Sequence, residues 1–324
     1  MVARSDPGAE TKAVARLGTA LEAASRRAIL AAAESSGVRR LVGRYVMRLG
    51  AARFVAGETL DDAIRVIGSL NGRGLRANTT LLGEGVTSRA QTEAVVEEYE
   101  TVLLRIAELD ANVALKLTQL GLALDEELAY ENVERLVAHA AACGNFVRID
   151  MEESDWVDAT LRIHRRLREA GHDNVGTVLQ SYLYRSEGDL RALLQLSPNV
   201  RLVKGAYLEP PDRAYPEKRD VDGKYVLLLE LALRRAAFTA IATHDEALIE
   251  HALAFAEREG VTRDRFELQL LYGVRPQLQL ELVSRGYGVR VATPYGPDWS
   301  RYLMRRLAER PANVLFIARN VVRR

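Results

Sequence analysis

The 324-residue sequence holds one cysteine, Cys143, and five histidines. A single thiol excludes an intrachain disulfide. With no Cys-x-x-Cys and the histidines scattered, the spacing of a zinc site is missing. Cys143 precedes Gly144 at the end of an alanine-rich stretch, where a buried structural thiol is expected. No G-x-G-x-x-G motif follows the first strand-like run, so the dinucleotide-binding fingerprint is absent. No apolar run approaches the roughly 20 residues of a membrane span. The stretch Met1–Gly18 lacks the apolar centre of a secretory leader, and a cytoplasmic protein is expected. Charge of one sign is lacking too. Forty-five Lys and Arg against 44 Asp and Glu leave a formal charge of +1, which gives no support for non-specific nucleic-acid binding. What the chain has is apolar content: 48% hydrophobic residues suffice for one sizeable core.

From Leu75 onwards, short apolar runs alternate with longer helical segments. Strands are expected near Leu75–Leu81, Asn112–Leu117, Phe146–Ile149, Val175–Leu179, Val200–Val203, Phe238–Ala242, Phe266–Leu270 and Val289–Val291. Helices are expected near Ser88–Leu109, Asp125–Ala142, Ser154–Glu169, Ser186–Gln195, Lys224–Arg235, Asp245–Glu259, Pro276–Ser284 and Trp299–Arg310. Helical crossovers make the sheet parallel. Eight such repeats in about 240 residues is the size of a (β/α)8 barrel. That α/β fold is preferred over an open doubly wound sheet, which would be expected to carry the missing glycine motif.

Residues 1–68 are expected to form N-terminal accessory helices, and residues 69–324 the barrel with a C-terminal helix. Thr59 has the character of a helix N-cap with Asp62 at N3. The longest irregular stretch runs from Gly205 to Gly223; a loop of that length in a compact domain is usually functional or mobile.

The segment Tyr302-Leu303-Met304-Arg305-Arg306-Leu307-Ala308-Glu309, read as helix, puts Tyr302, Arg305, Arg306 and Glu309 on one face. Two adjacent arginines repel unless an anion lies between them, and each guanidinium offers a planar fork for a carboxylate or phosphate. A solvated charged face is the plainer explanation of an isolated Arg-Arg pair. A barrel ending in this helix favours the binding role.

Barrel active sites lie at the C-terminal ends of the strands. There the sequence places Lys116, Asp150, Gln180, Arg201 with Lys204 and Tyr207, Thr243-His244-Asp245, and Glu267 with Gln269. Ser181 has no histidine placed in sequence to activate it. Asp150 and Glu309 could be an acid/base pair, but surrounding cations favour ion pairing. Lys204 could form a Schiff base, as in barrel aldolases. Lys116, Arg305 and Arg306 could clamp a substrate carboxylate. Gln180, Arg201, Lys204 and His244 could hold an electron-accepting ring and its phosphates. The residue types alone leave these open, together with a non-catalytic ligand binder.

Longer motifs narrow the choice. Leu115–Gly121, Arg148–Glu152, Arg201–Tyr207, Ala242–Asp245, Phe266–Gly273 and Tyr302–Glu309 together resemble the proline dehydrogenase family in its short, monofunctional bacterial form, in order from about Gly57 to Asn320. The resemblance implies a distorted (β/α)8 barrel that binds FAD, oxidises proline to Δ1-pyrroline-5-carboxylate and passes electrons to a membrane quinone. A peripheral contact with the inner face of the membrane follows from such an acceptor. Carried over residue by residue, Lys116, Arg305 and Arg306 resemble the carboxylate clamp, and Asp150 the partner that orients Arg305. Tyr207 and Tyr302 resemble walls against the substrate ring. Arg201 resembles the arginine beside the flavin N5. Gln180, Val203, Lys204, Thr243, His244 and Glu309 resemble the other FAD contacts. The family usually has R-V-Y-x-P-Y-G after its eighth strand. Here the run is Arg290-Val291-Ala292-Thr293-Pro294-Tyr295-Gly296, with Ala292 in place of the tyrosine. Room for a substituted proline such as 4-hydroxyproline is the expectation. The absence of a Cys or His in a tethering context makes a noncovalent flavin the expected form.

Overall fold

A computed structural model describes residues 54–83 and 85–299. The accessory helices expected before residue 54, and the clamp residues Tyr302, Arg305, Arg306 and Glu309, lie outside the described residues. Residues Phe54–Pro297 form one compact unit.

The first helix, α1 (Leu60–Asn71), starts as the sequence signals. Thr59 accepts from the Asp62 backbone N–H, and Asp62 returns the bond to the Thr59 backbone. That reciprocal box satisfies two N–H groups the first turn leaves open. Ala63, Ile67 and Leu70 form its buried face, which packs against the first and last strands. The expected boundary at residue 68 falls inside this helix.

Eight parallel strands follow: β1 (Arg76–Leu81), β2 (Ala111–Leu115), β3 (Val147–Ile149), β4 (Val175–Gln180), β5 (Asn199–Val203), β6 (Phe238–Ala242), β7 (Phe266–Leu271) and β8 (Val289–Tyr295). They close in sequence order into a barrel, with β8 beside β1. Seven helices lie between them: α2 (Arg89–Arg105), α3 (Glu126–Ala142), α4 (Val157–Glu169), α5 (Ser186–Leu193), α6 (Lys218–Arg235), α7 (Glu246–Arg258) and α8 (Pro276–Ser284). The (β/α)8 fold expected from the alternation is present.

Strand side chains alternate between two faces. One set, including Ala77, Val113, Ile149, Leu202, Ile241, Leu268 and Val291, is buried in the apolar layer under the helices. The other set points into the barrel and carries most of the strands' charged and amide side chains, among them Arg76, Asn78, Asn112, Arg148, Arg201, Glu267, Gln269 and Arg290. Two buried tyrosines lock helices to strands. Tyr99 of α2 donates to the Ala114 carbonyl at 2.9 Å, and Tyr225 of α6 to the Leu202 carbonyl at 3.2 Å.

Two boundaries differ from the sequence reading. β8 continues four residues past Val291 to Tyr295, because Arg76–Leu81 pairs with Arg290–Tyr295 along its full length. α6 begins at Lys218, six residues before the expected Lys224. Gly223, taken as loop, lies in its second turn. The remaining loop after β5 is fastened to its neighbours. Ser154 donates its backbone N–H to Glu209 at 2.7 Å, Tyr215 donates to the Tyr182 carbonyl at 2.8 Å, and the Tyr184 and Tyr215 rings meet edge-on at 4.5 Å.

Candidate active site

The sequence-predicted polar residues gather at one rim. Lys116 follows β2, Asp150 follows β3, Gln180 ends β4, Val203 and Lys204 close β5, and Thr243 and His244 follow β6. The rim is the C-terminal mouth of the barrel, where this architecture carries its chemistry. Glu267 is the exception. It is the second residue of β7, at the opposite end, and bonds Arg290 at 2.7 Å and Gln269 at 2.6 Å. It belongs to an internal ion pair, so its place in the expected ring is corrected.

Arg201 crosses the barrel. Its Nη1 donates to Asp150 Oδ1 at 2.7 Å, and its Nη2 to Asn78 Oδ1 at 2.8 Å. Asn78 in turn donates through Nδ2 to Asn112 Oδ1 at 2.6 Å. The guanidinium is therefore set from three strands. Burial pushes Arg201 below the usual arginine value, and Asp150 and Glu267 oppose that push. The orienting role expected of Asp150 is directed at Arg201 in the described structure; Arg305 lies outside it.

Among the buried polar atoms that have no partner in the described residues, two belong to residues expected at the site: Arg201 Nε, a donor, and Gln180 Oε1, an acceptor. An unmet buried polar group costs about 1–3 kcal/mol, so such atoms mark a place for a ligand or water. The other end of the Gln180 amide is fixed, with Nε2 donating to the Glu152 carbonyl at 3.3 Å. Glu152 accepts from the Thr118 N–H at 3.1 Å and its hydroxyl at 2.6 Å. Burial raises the Glu152 carboxyl, with Thr118 and Lys116 working against it.

Lys204 Nζ lies 2.6 Å from Asp222 and 3.0 Å from Asp245, and Lys218 contacts the same two carboxylates. Burial raises both acids, but the bonds to Lys204 and the charge of Lys218 outweigh it and leave both below the usual range. An imine-forming lysine needs a free amine; Lys204 is engaged as a cation on two sides. Gly205 follows with φ +126, and a Cβ there would meet the Tyr182 ring at 2.4 Å, so the rim can turn here only without a side chain. Ser181 donates its hydroxyl to the Val221 carbonyl at 3.2 Å, a structural bond and not a nucleophile's arrangement.

Thr243 Oγ1 accepts from the Asp245 N–H at 3.2 Å. His244 Nε2 accepts from the Leu271 N–H at 2.9 Å, which assigns the ring proton to Nδ1 in the neutral form. Ala292 sits on β8, level with Asn78 of β1 and Leu271 of β7, and is half-buried. Tyr207 lies on the loop after β5.

The arrangement is a cation-rich barrel mouth with fixed hydrogen-bond donors and acceptors and, among the described residues, no paired nucleophile and base. The proline dehydrogenase family model matches residues 63–319. The chain belongs to the proline dehydrogenase family, whose members are oxidoreductases. It is 39% identical over 301 residues to proline dehydrogenase 1 of Bacillus subtilis, covering 92% of this chain and 99% of that one. It is 41% identical over 304 residues to proline dehydrogenase of Deinococcus radiodurans, covering 92% and 98%. The crystal structure of proline utilization A (PutA) from Bdellovibrio bacteriovorus superposes with a TM-score of 0.76 at 23% identity, over 82% of this chain. At that identity the fold is what is shared, and this chain spans about a third, 33%, of that protein. Among the described residues no group of His, Cys, Asp or Glu could hold a metal ion, and no helix is long and apolar enough to cross a membrane.

Sequence reasoning missed Asn78, Arg148 and Asp222 as parts of this mouth and its base. The first two had a signal: each is the polar member of a strand whose alternate residues are apolar or small. Asp222 had none, because its helix was read as starting two residues later.

Proposed function

We propose that this protein is an FAD-dependent dehydrogenase of L-proline, or of a substituted proline such as 4-hydroxyproline, giving the Δ1-pyrroline-5-carboxylate product. The observation that carries the reading is the pair of unmet atoms, Arg201 Nε and Gln180 Oε1, at the mouth of a barrel of this family. A planar ring system with both donors and acceptors fits them. Arg201, Gln180, Val203, Thr243 and His244 would hold that ring, and Lys204 would face its phosphates. When bound, FAD supplies the acceptor for the two electrons and the hydrogen leaving the substrate ring.

The protein's own part is positioning and electrostatics. Lys116, with Arg305 and Arg306, would bind the substrate carboxylate and fix the reacting carbon, which removes the entropy of alignment from the barrier. Arg201, held by Asp150 and Asn78, supplies a preset positive charge where negative charge develops. Tyr207 and Tyr302 would wall the substrate ring, and Glu309 would add a cofactor contact. Ala292 leaves space beside that ring. Reoxidation by a quinone, reached from a peripheral position on the inner face of the membrane, completes the proposal.

Acid precipitation of the purified protein tests the cofactor. All the flavin should appear in the supernatant as FAD. FMN, flavin retained on the precipitated chain, or no flavin at all would contradict the reading.

A further inference from the structure

We propose that Arg148, at the base of the barrel, tunes the redox site: its buried charge, which pairs with no carboxylate among the described residues, adds to that of Arg201 and raises the reduction potential of the flavin. The proposal rests on the flavin reading above.

Each arginine pointing into the barrel, Arg148 apart, meets a carboxylate. Arg201 bonds Asp150 at 2.7 Å, and Arg290 bonds Glu267 at 2.7 Å. Arg76 reaches Glu267 at 3.4 Å and Asp110 at 3.3 Å. Arg148 is 3% exposed and has no ion pair among the described residues. It donates instead to the Thr177 carbonyl at 2.9 Å, the Asn199 carbonyl at 2.9 Å and Asn199 Oδ1. Neutral acceptors satisfy its hydrogens and leave its charge in place. Arginine stays protonated even where burial opposes it. Burial and the nearby charge of Arg201 push Arg148 below the ordinary arginine value, and the carboxylates of Glu267 and Asp150, which form no ion pair with it, oppose that push without prevailing.

The sequence makes room for this side chain. Gly176 on β4 sits under it, and a Cβ there would meet Asn199 O at 2.4 Å and Arg148 Nη1 at 2.5 Å. The guanidinium is thus led across β4 to β5, the strand that carries Arg201 two residues on. A charge beneath a group that gains negative charge on reduction favours the reduced state, and weak screening in the barrel interior lets it act without contact.

Asn199 offers a test that keeps the guanidinium and its bonds. Asn199→Asp places a carboxylate on Arg148 Nη2 in nearly the same shape, cancelling the charge while strengthening the tie. Arg148→Met removes the charge outright, and Arg148→Lys keeps it. The flavin midpoint potential is measured for each holoprotein against a dye of known potential, with kcat and KM for proline. N199D and R148M should each shift the balance towards oxidised flavin by about tenfold, about 30 mV for a two-electron couple, with lower kcat and KM little changed. R148K should stay close to the native potential. Native potential in N199D overturns the proposal, because a purely structural Arg148 predicts that result. Should R148M fail to fold, N199D against the native protein decides alone. If the native protein binds no flavin, the proposed function falls as well; if flavin is bound and the potential does not move, this inference alone falls.

Discussion

Arg201 on β5 and Asp150 after β3 meet at 2.7 Å across the intervening strand β4, and the guanidinium goes on to Asn78 on β1. Three strands therefore fix one cation at the barrel mouth. Removing its carboxylate leaves a buried guanidinium without its anion, which is costly. Asp150→Asn should lower kcat/KM at least tenfold while the barrel stays folded. A double-mutant cycle with Asp150→Ala and Arg201→Ala should return a coupling of about 1–2 kcal/mol, given that Asp150 is partly open to solvent. Additive losses would mean that the pair does not act as a unit.

His164 on α4 is fully buried, and neither ring nitrogen has a partner among the described residues. Burial, reinforced by Arg148, Arg168 and Arg165, pushes its pKa down to about 3. The folded state then holds the ring neutral while the unfolded chain takes up a proton below the ordinary value of about 6.5. Stability should rise with pH through this group between about 3 and 6.5, and be lost as pH falls through that window. The contribution is at most about 1.4 kcal/mol per pH unit. In His164→Leu the slope of unfolding free energy against pH should flatten there, with stability at neutral pH equal or higher. An unchanged slope would show that His164 does not titrate as its surroundings imply.

The Lys204 cluster makes a second pH prediction of known sign. Asp222 and Asp245 have carboxyls held below the usual range, so their contribution is present above the unfolded value of about 3.9 and is lost as pH falls through their lower folded values. Asp222→Asn should remove part of the acid-induced drop in Tm below about pH 4. A variant whose acid denaturation follows the native curve would contradict the cluster's role.

Ala292 faces into the barrel beside Asn78 and Leu271. A tyrosine there would add a ring and a hydroxyl to the wall of the proposed substrate site. An apolar wall discriminates by roughly 10- to 200-fold for one small group. The native protein should oxidise trans-4-hydroxyproline with kcat/KM comparable to or above that for proline, and Ala292→Tyr should move the ratio at least tenfold towards proline. The same ratio in both proteins, favouring proline, would remove Ala292 from substrate choice.

The barrel was legible because its outward strand positions are apolar and its helices amphipathic, so strand and helix periods stand apart in the sequence. The rim residues Lys116, Asp150, Gln180, Lys204 and His244 were legible once eight strand ends were placed. Their partners were not. Arg201 and Asn78 lie 123 residues apart and meet only because the barrel closes. Asp222 was hidden by Gly223, which reads as a loop residue yet sits inside α6. The end of β8 was hidden by Ala292 and Pro294, both poor strand formers, and it forms because β1 runs alongside. Glu267 was placed at the mouth because strand polarity was inferred without register; its bond to Arg290 places it at the base.

The most direct test of the account is anaerobic addition of L-proline to the purified protein while the visible flavin band is followed. The account requires a yellow protein whose band bleaches to completion with about one equivalent of substrate oxidised per flavin, since each turnover delivers two electrons. The bleach should be fast in the native protein and at least tenfold slower in Asp150→Asn. A protein that carries no flavin, or a flavin band that neither proline nor a substituted proline bleaches, would contradict it.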